Sequence, residues 1–234
     1  MYFRAKADNT SIVRDSSNYL QFTTTQPSKK VKVSGNVMSL LAPKFSNMRT
    51  VSSYEFYRLF CDYRSIYECS SLTLPATTLA NNCYSSMFYG CSNLTQAPAL
   101  PATTIAKNCY GSMFRGCTSL SAAPQLPATT LADSCYGNMF TNCTSLTQAP
   151  TIKTYTPELY AFENMLYTVN YDTNEWSLSV CNWPDLTIAE AESMVLSEFI
   201  FGYDNPGASV RISITCKDGS GTAYYDSSSW VFEH

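Results

Sequence analysis

Histidine is almost absent from the chain, since the only one is the last residue, His234. Catalytic triads, Cys-His pairs and histidine metal sites all need an imidazole that its surroundings hold in place. A chain terminus rarely supplies such surroundings. We therefore predict no catalytic residues, no metal site and no cofactor, and we expect that the protein is not an enzyme.

Charged residues are also scarce, at 14% of the chain, against roughly 25% in soluble domains. Between Cys69 and Pro150 the only charged side chains are Lys107, Arg115 and Asp133. The net charge is −3 and no basic cluster occurs. Phosphate binding needs Lys and Arg on one face, so we predict no nucleic-acid partner.

Long apolar runs are missing as well. No stretch approaches the roughly 20 residues that span a bilayer, so we expect no transmembrane segment in this chain. The opening residues, MYFRAKADNT, indicate a strand rather than an export leader. We expect a trimmed fragment whose export signal is not present in this chain.

What the sequence does contain is an internal repeat. Residues 83–108 and 109–134 are identical at 16 of 26 positions without a gap. The unit 135–160 begins with the same pattern and then diverges, and a weaker unit follows it. A period of 26 lies in the range of leucine-rich repeats, whose coils bury their apolar residues against their neighbours.

Two registers compete upstream of these units. One aligns Cys61 and Cys69 with the later Cys-x7-Cys pairs in a 22-residue unit. The other keeps the apolar ladder that starts at Phe60 and inserts two residues before the LPATT run. We favour the second register because it preserves the period of the core and needs only a small loop insertion.

Each coil is predicted to hold one short strand and one short helix. SLSAAPQLP places Leu120, Ala123 and Leu126 inward along an extended segment. Pro127 is expected to open the helix, where its missing N–H needs no partner. In TTLADSCYGNMF the apolar residues recur at spacings of four, four and one, which favours a helix with one buried face.

The pattern LPATTLAxxCYxxMFxGCTSLTxAPxLPATTLA, carried by residues 60 to about 166, resembles the BspA-like leucine-rich repeats of bacterial surface proteins. SGNVMSLL (34–41) resembles the segment that leads into such arrays. The resemblance implies export to the cell surface or outer membrane and, for some members, adhesion to host extracellular proteins.

We predict an α/β fold, a right-handed leucine-rich-repeat solenoid with a cap at each end, because the exposed ends of a solenoid need covering. Three tryptophans of the C-terminal cap, Trp176, Trp183 and Trp230, would seal the last coil. The predicted boundaries are 1–45 for a β-rich N-terminal cap or remnant of a preceding β domain, 46–170 for the solenoid and 171–234 for an α/β C-terminal cap.

The cysteines of the repeats are predicted to be buried, reduced thiols that act as small apolar side chains. Seven residues separate the two cysteines of a unit, which does not fit the Cys-x2-4-Cys spacing of a zinc site. Equivalent cysteines of neighbouring coils would lie close enough for a bridge. The two columns are Cys83, Cys109 and Cys135, and Cys91, Cys117 and Cys143.

Binding residues are expected in the columns that vary between repeats, because packing consumes the invariant ones. The predicted partner is a protein or glycan on a host or neighbouring cell surface, with an extended polar face giving affinity through its extent or its copy number. The predicted binding residues are Tyr89, Gln96, Arg115, Ser121, Thr141 and Gln148.

Two alternatives stay open at this stage. The chain could be a structural spacer that presents another domain. More remotely, it could be a hydrolase that uses two carboxylates of LTIAEAESMVLSEFIFG. Those carboxylates are Glu190, Glu192 and Glu198, whose helical spacing is more typical of a solvated helix face.

Overall fold

The computed structural model describes residues 15–24, 26, 28–41, 46–151, 161, 165, 167–170, 175–178, 182–183, 186–196, 211–226 and 229–234. The strand predicted in MYFRAK lies outside them. In chain order the elements are β1 (Val31–Lys32), β2 (Gly35–Asn36), a 3-10 helix (Val37–Leu40), β3 (Ile66–Glu68), β4 (Leu72–Thr73), β5 (Tyr167–Asn170), β6 (Glu175–Leu178), β7 (Asn182–Trp183), α1 (Ile188–Leu196), β8 (Arg211–Cys216), β9 (Gly219–Asp226) and β10 (Ser229–Glu233).

Successive repeats contact each other at equivalent positions. Parallel β-bridges join four threonines in series, Thr50, Thr78, Thr104 and Thr130. Each threonine begins one turn of the chain, and the turns are numbered from it. Coil 1 is 50–77, coil 2 is 78–103, coil 3 is 104–129 and coil 4 is 130–151.

Coil 1 follows the second of the two registers, in which it is slightly longer than the later coils. A parallel bridge joins Glu68 to Gln96 of coil 2, and the ring of Phe60 stacks on that of Phe88. Both pairs keep the alignment of the apolar ladder. Strand β4 lies where the extra residues fall, just before the LPATT run.

The segment expected to be a helix in each coil is a run of reverse turns. In coil 2, the N–H groups of Cys83 and Ser85 donate to carbonyls three residues earlier. The N–H groups of Tyr84 and Ser86 donate instead to the carbonyls of Cys109 and Gly111 in coil 3. An α-helix would bond all of these groups internally, and residues 50–151 contain none. The structure thus differs from the predicted short helix in each coil. It also differs from the predicted short strand, because among the coils strands occur only in coil 1, and coils 2, 3 and 4 have isolated bridges instead.

Left-handed residues at every fourth position explain the difference. In coil 2, φ is 57° at Asn82, 55° at Ser86 and 70° at Gly90. A left-handed residue stops a helix, and glycine and asparagine adopt that conformation at the least cost. At Gly90 space matters too, because an added Cβ would lie 2.2 Å from the Asp62 Oδ1 atom. The alternating turns send every second N–H group to the next coil.

The core consists of apolar columns that run from coil to coil. Cysteine, tyrosine or phenylalanine, methionine and leucine side chains repeat at buried positions in coils 2, 3 and 4. Two columns of rings stack with centroids 5.4–5.8 Å apart, within the favourable range for aromatic pairs. They are Phe22–Phe60–Phe88–Phe114–Phe140 and Phe56–Tyr84–Tyr110–Tyr136.

The N-terminal segment covers coil 1. Strand β1 pairs in parallel with β3, and β2 pairs with β4. The Phe22 N–H group donates to the Leu59 carbonyl oxygen at 2.8 Å, and the Phe22 ring extends the stack of coil 1. The 3-10 helix begins where the Asn36 side chain accepts a hydrogen bond from the Met38 N–H group. The described residues of segment 15–36 therefore form the layer before coil 1.

The C-terminal residues form a four-stranded sheet in the order β10-β9-β8-β7. Strands β7 and β8, which precede and follow α1 in the chain, are parallel. The β8-β9 and β9-β10 pairs are antiparallel. The β8–β9 hairpin turns at Lys217 and Asp218. Trp230 is buried, but its predicted place against the last coil stays a prediction. None of the described helices is long and apolar enough to cross a membrane.

Candidate functional site

The cysteines of the repeats act as buried hydrogen-bond donors. The Sγ atom of Cys91 lies 3.1 Å from the Phe60 carbonyl oxygen, and that of Cys117 lies 3.2 Å from the Phe88 carbonyl oxygen. Cys143 repeats this contact with Phe114 at 3.0 Å. Each thiol thus bonds to the coil before its own. All nine cysteines of the described residues are free and buried.

Burial also makes these thiols poor nucleophiles. It raises the pKa of Cys135 to about 11 and those of Cys83 and Cys143 to about 12. A thiolate is the form that attacks disulfides and binds metal ions, so these side chains are inert near neutral pH. Within the described part of the chain, no group of His, Cys, Asp and Glu side chains could hold a metal ion.

The hydroxyls of Tyr84 and Tyr110 are buried without a hydrogen-bond partner among the described residues. Leaving a buried hydroxyl unpaired costs about 1–3 kcal/mol. The equivalent residue of coil 1, Phe56, occupies the same stack without a hydroxyl. Tyr84 and Tyr110 therefore contribute ring packing rather than a polar site.

We predict that Tyr110→Phe leaves the free energy of unfolding unchanged or raises it by up to about 1 kcal/mol, because it removes an unpaired hydroxyl and keeps the ring. Urea denaturation measures the change. The reciprocal control, Phe114→Tyr, buries a new hydroxyl in the neighbouring column and should be destabilising. A loss above about 1 kcal/mol for Tyr110→Phe would mean that the hydroxyl has a partner.

The six predicted binding residues separate into two groups and one exception. Gln96, Ser121 and Gln148 are exposed on the segment that follows the turns. Tyr89 and Arg115 are half-buried and in contact, with the Arg115 Cζ atom 6.0 Å from the Tyr89 ring centroid.

Thr141 is the exception and a correction, because it is fully buried and cannot contact a partner. It shares a column with Tyr89 and Arg115, at the equivalent position of successive coils, and with Cys61, which is also buried. Long side chains in this column reach the surface, whereas Cys and Thr end beneath it. Sequence variation in the column therefore marks a change in side-chain length rather than a uniformly exposed position.

Two residues that the sequence did not single out extend the contact of Tyr89 and Arg115. The Arg58 Cζ atom lies 6.0 Å from the Tyr89 ring centroid and 5.9 Å from that of Tyr19. Both distances are those of cation–π contacts. Tyr19, Arg58, Tyr89 and Arg115 form what we term the Tyr–Arg ladder. The members come from segment 15–36 and coils 1, 2 and 3, one from each layer.

Further polar and aromatic groups border the Tyr–Arg ladder. The Tyr57 ring packs edge-on against Tyr19, with centroids 5.2 Å apart, and also against Tyr54, at 5.6 Å. At the other end, the Arg115 Nη1 atom lies 3.5 Å from the Asn138 Oδ1 atom of coil 4. The sequence held one usable signal, an arginine in an aromatic-rich stretch, YEFYRLF followed by Tyr63.

The carboxylates of the alternative hydrolase have structural partners. Glu190 and Thr187 form a capping box at the start of α1, with Glu190 Oε2 accepting from the Thr187 N–H group at 2.7 Å. These hydrogen bonds lower the pKa of Glu190. Glu192 Oε2 lies 3.1 Å from His234 Nε2, and Glu198 lies outside the described residues. The Glu190 carboxylate thus caps the N-terminus of α1.

Comparisons with protein-family models, with curated proteins and with solved structures find no match to this chain. The resemblance of residues 60 to about 166 to BspA-like repeats stays a prediction. The stacked coils leave a small set of polar and aromatic side chains at the surface.

Proposed function

We propose that the chain is a non-catalytic binding module of a BspA-like leucine-rich-repeat protein. It is exported to the cell surface or outer membrane and adheres to a protein or glycan of a host or neighbouring cell. Its repeats form a right-handed solenoid in this proposal, with turns in place of the short helices. Contacts between equivalent residues of neighbouring coils, such as the bridge from Thr78 to Thr104, support the solenoid.

The observation that carries the proposal is that the repeated apolar side chains are buried, while several polar positions that vary between repeats are exposed. Invariant side chains such as Cys109, Met113 and Phe114 are buried, and the backbone groups of the turns bond within or between coils. Variable residues such as Gln96 and Gln148 are exposed. A rigid scaffold that presents variable polar side chains is suited to recognition.

Buried thiols are compatible with the exterior of a cell. Oxidising surroundings convert accessible, ionised cysteines into disulfides and sulfenic acids. The raised pKa values of Cys83 and Cys143, caused by burial, keep their thiols protonated. Export therefore does not require these cysteines to be paired.

A binding panel tests the proposal. The full chain is titrated against immobilised extracellular-matrix proteins and polysaccharides, and we expect binding to at least one at micromolar concentration. Changing Gln96, Arg115 and Gln148 together to alanine should weaken that binding. The matched control changes three exposed threonines on another segment, Thr77, Thr103 and Thr129.

Two outcomes would contradict the proposal. Lack of binding to every ligand at high micromolar concentration would remove the evidence for adhesion. Equal binding by the native chain and the Gln96, Arg115 and Gln148 variant would favour the structural spacer, in which these columns have no partner.

A further inference from the structure

We propose that the Tyr–Arg ladder binds the anionic groups of an acidic polysaccharide, with carboxylates or sulfates bound by the guanidinium groups and sugar rings packed on the tyrosines. This inference rests on the proposed binding function and assigns it a site and a class of ligand. The site spans four layers of the chain, so it suits a long, repetitive ligand rather than a small molecule.

Arg58 carries a positive charge that has no counter-ion among the described residues. Its side chain is half-buried, and its buried Nε atom has no hydrogen-bond acceptor among the described residues. Within the same residues, no carboxylate lies within ion-pairing distance of Arg58. Partial burial of a charge without a counter-ion is unfavourable, so an anion bound at the part of the Arg58 guanidinium that reaches the surface would relieve it.

Two lysines of the same layers show the contrast. Lys32 pairs with Glu68, and Lys107 pairs with Asp133, each at 2.5 Å. The chain therefore does supply carboxylates to cations elsewhere in the stack. Arg58 contacts the rings of Tyr19 and Tyr89 instead. Such contacts with aromatic rings leave the positive charge of the guanidinium without a counter-ion.

The guanidinium groups of Arg58 and Arg115 both lie near the Tyr89 ring. Arg58 and Arg115 approach the same Tyr89 ring from coils 1 and 3, each with its Cζ atom 6.0 Å from the ring centroid. A planar guanidinium can donate two parallel hydrogen bonds to one carboxylate or sulfate. Arg58 has no carboxylate partner among the described residues, whereas Arg115 also contacts the Asn138 Oδ1 atom. Guanidinium groups from the coils before and after Tyr89 suit a polymer with anionic groups at regular intervals.

The hydrogen-bonded backbone of the turn segments favours a polysaccharide over an acidic peptide. An extended peptide usually binds by adding a strand to free backbone groups. On the turn segments those groups are occupied, as with the N–H groups of Arg58 and Gly90, which donate to Ser85 and Arg115 carbonyls. Only side chains remain for recognition, and tyrosine rings offer flat faces with a polar tip. Pyranose rings present matching C–H faces.

Isothermal titration of the full chain tests the inference with three polymers of equal length: neutral dextran, dextran sulfate and polygalacturonate. Binding to at least one acidic polymer, with no detectable binding to dextran, is expected. Raising the salt concentration from 50 to 500 mM should weaken the binding, because partly exposed ion pairs are screened. The two acidic polymers distinguish sulfate from carboxylate.

Variants locate the site. Arg58→Gln should weaken acidic-polymer binding about tenfold or more, the loss expected for a charged hydrogen bond. Tyr89→Leu should also weaken it. The matched control is Arg49→Gln, an exposed arginine that bonds to the Ser46 and Met48 carbonyl oxygens and should change affinity less than twofold. Circular dichroism and thermal unfolding confirm that each variant folds.

Each contrary result overturns one part of the inference: the site, the role of charge or the class of ligand. Equal affinity of the native chain and Arg58→Gln would place acidic-polymer binding elsewhere, and equal affinity for dextran would remove the role of charge. Polyglutamate of the same length is titrated as a peptide control, and tighter binding to it than to either acidic polysaccharide would replace the ligand class. If the acidic polymers fail while a matrix protein binds in the panel above, this inference fails and the proposed function stands.

Discussion

Replacing Phe114 with alanine is expected to lower the free energy of unfolding by about 3–5 kcal/mol. The ring is fully buried and stacks on Phe88 and Phe140, with centroids 5.6 Å away on both sides. Its carbonyl oxygen also accepts the Cys143 thiol, which ties coil 3 to coil 4 at the same place. Urea denaturation followed by circular dichroism measures the loss.

Phe22→Ala is the matched control for this prediction. Phe22 belongs to the same stack, through its contact with Phe60, but its side chain is only half-buried. We expect Phe22→Ala to lower the free energy of unfolding by less than half as much as Phe114→Ala, because the Phe22 ring buries less apolar surface. Equal costs at the two sites would contradict a core that is centred on the coils.

Raising the pH from 9 to about 11 is expected to unfold the protein. The ordinary pKa of a thiol is 9.0, and burial raises that of Cys135 to about 11 and those of Cys83 and Cys143 to about 12. Above pH 9 the unfolded chain releases these protons and the folded chain retains them. Each thiol then removes about 1.4 kcal/mol of stability per pH unit.

The sum over these buried thiols approaches the whole stability of a typical domain, about 5–15 kcal/mol. Below about pH 8 both states hold the protons, so the thiols add no pH dependence to stability there. The free energy of unfolding, measured in urea at half-unit steps from pH 7 to 11, gives the slope. Cys83→Ala combined with Cys143→Ala should make that slope shallower above pH 9. An unchanged slope, or full stability at pH 11, would contradict the prediction.

The core columns could be predicted because they depend on spacing alone. Cys109, Met113 and Phe114 recur at the fixed period of the repeat, and a stacked chain buries equivalent positions together. The upstream register was predictable for the same reason, because only one alignment kept Phe60 in line with Phe88. Both results follow from the hydrophobic pattern, which is the strongest structural signal in a sequence.

The backbone of the turns could not be predicted from that pattern. Apolar spacings of four and four fit a helix and also fit turns that return a buried side chain every fourth residue. The deciding residues are Asn82, Ser86 and Gly90, which adopt positive φ. Serine has no strong preference for that conformation, so only the glycine and asparagine indicated a departure from a helix.

The candidate site was predicted in part. Tyr89 and Arg115 vary between neighbouring repeats and lie in contact at the surface. Tyr19 and Arg58 join them from other layers and other columns, at positions distant from Tyr89 in the chain. A contact across layers depends on how far long side chains extend. Comparing equivalent positions of the repeats does not reveal that reach. The same limit explains why Thr141 was expected at the surface.

Double-mutant cycles on the phenylalanine stack test the central claim, that equivalent residues of neighbouring coils touch. Leucine replaces Phe88 and Phe114 in one cycle, and Phe88 and Phe140 in the other. The stack predicts a coupling energy of about 0.5–1.5 kcal/mol for the first pair, whose rings are neighbours. For the second pair, two coils apart, it predicts a value within about 0.5 kcal/mol of zero. Zero coupling between Phe88 and Phe114 would contradict the account.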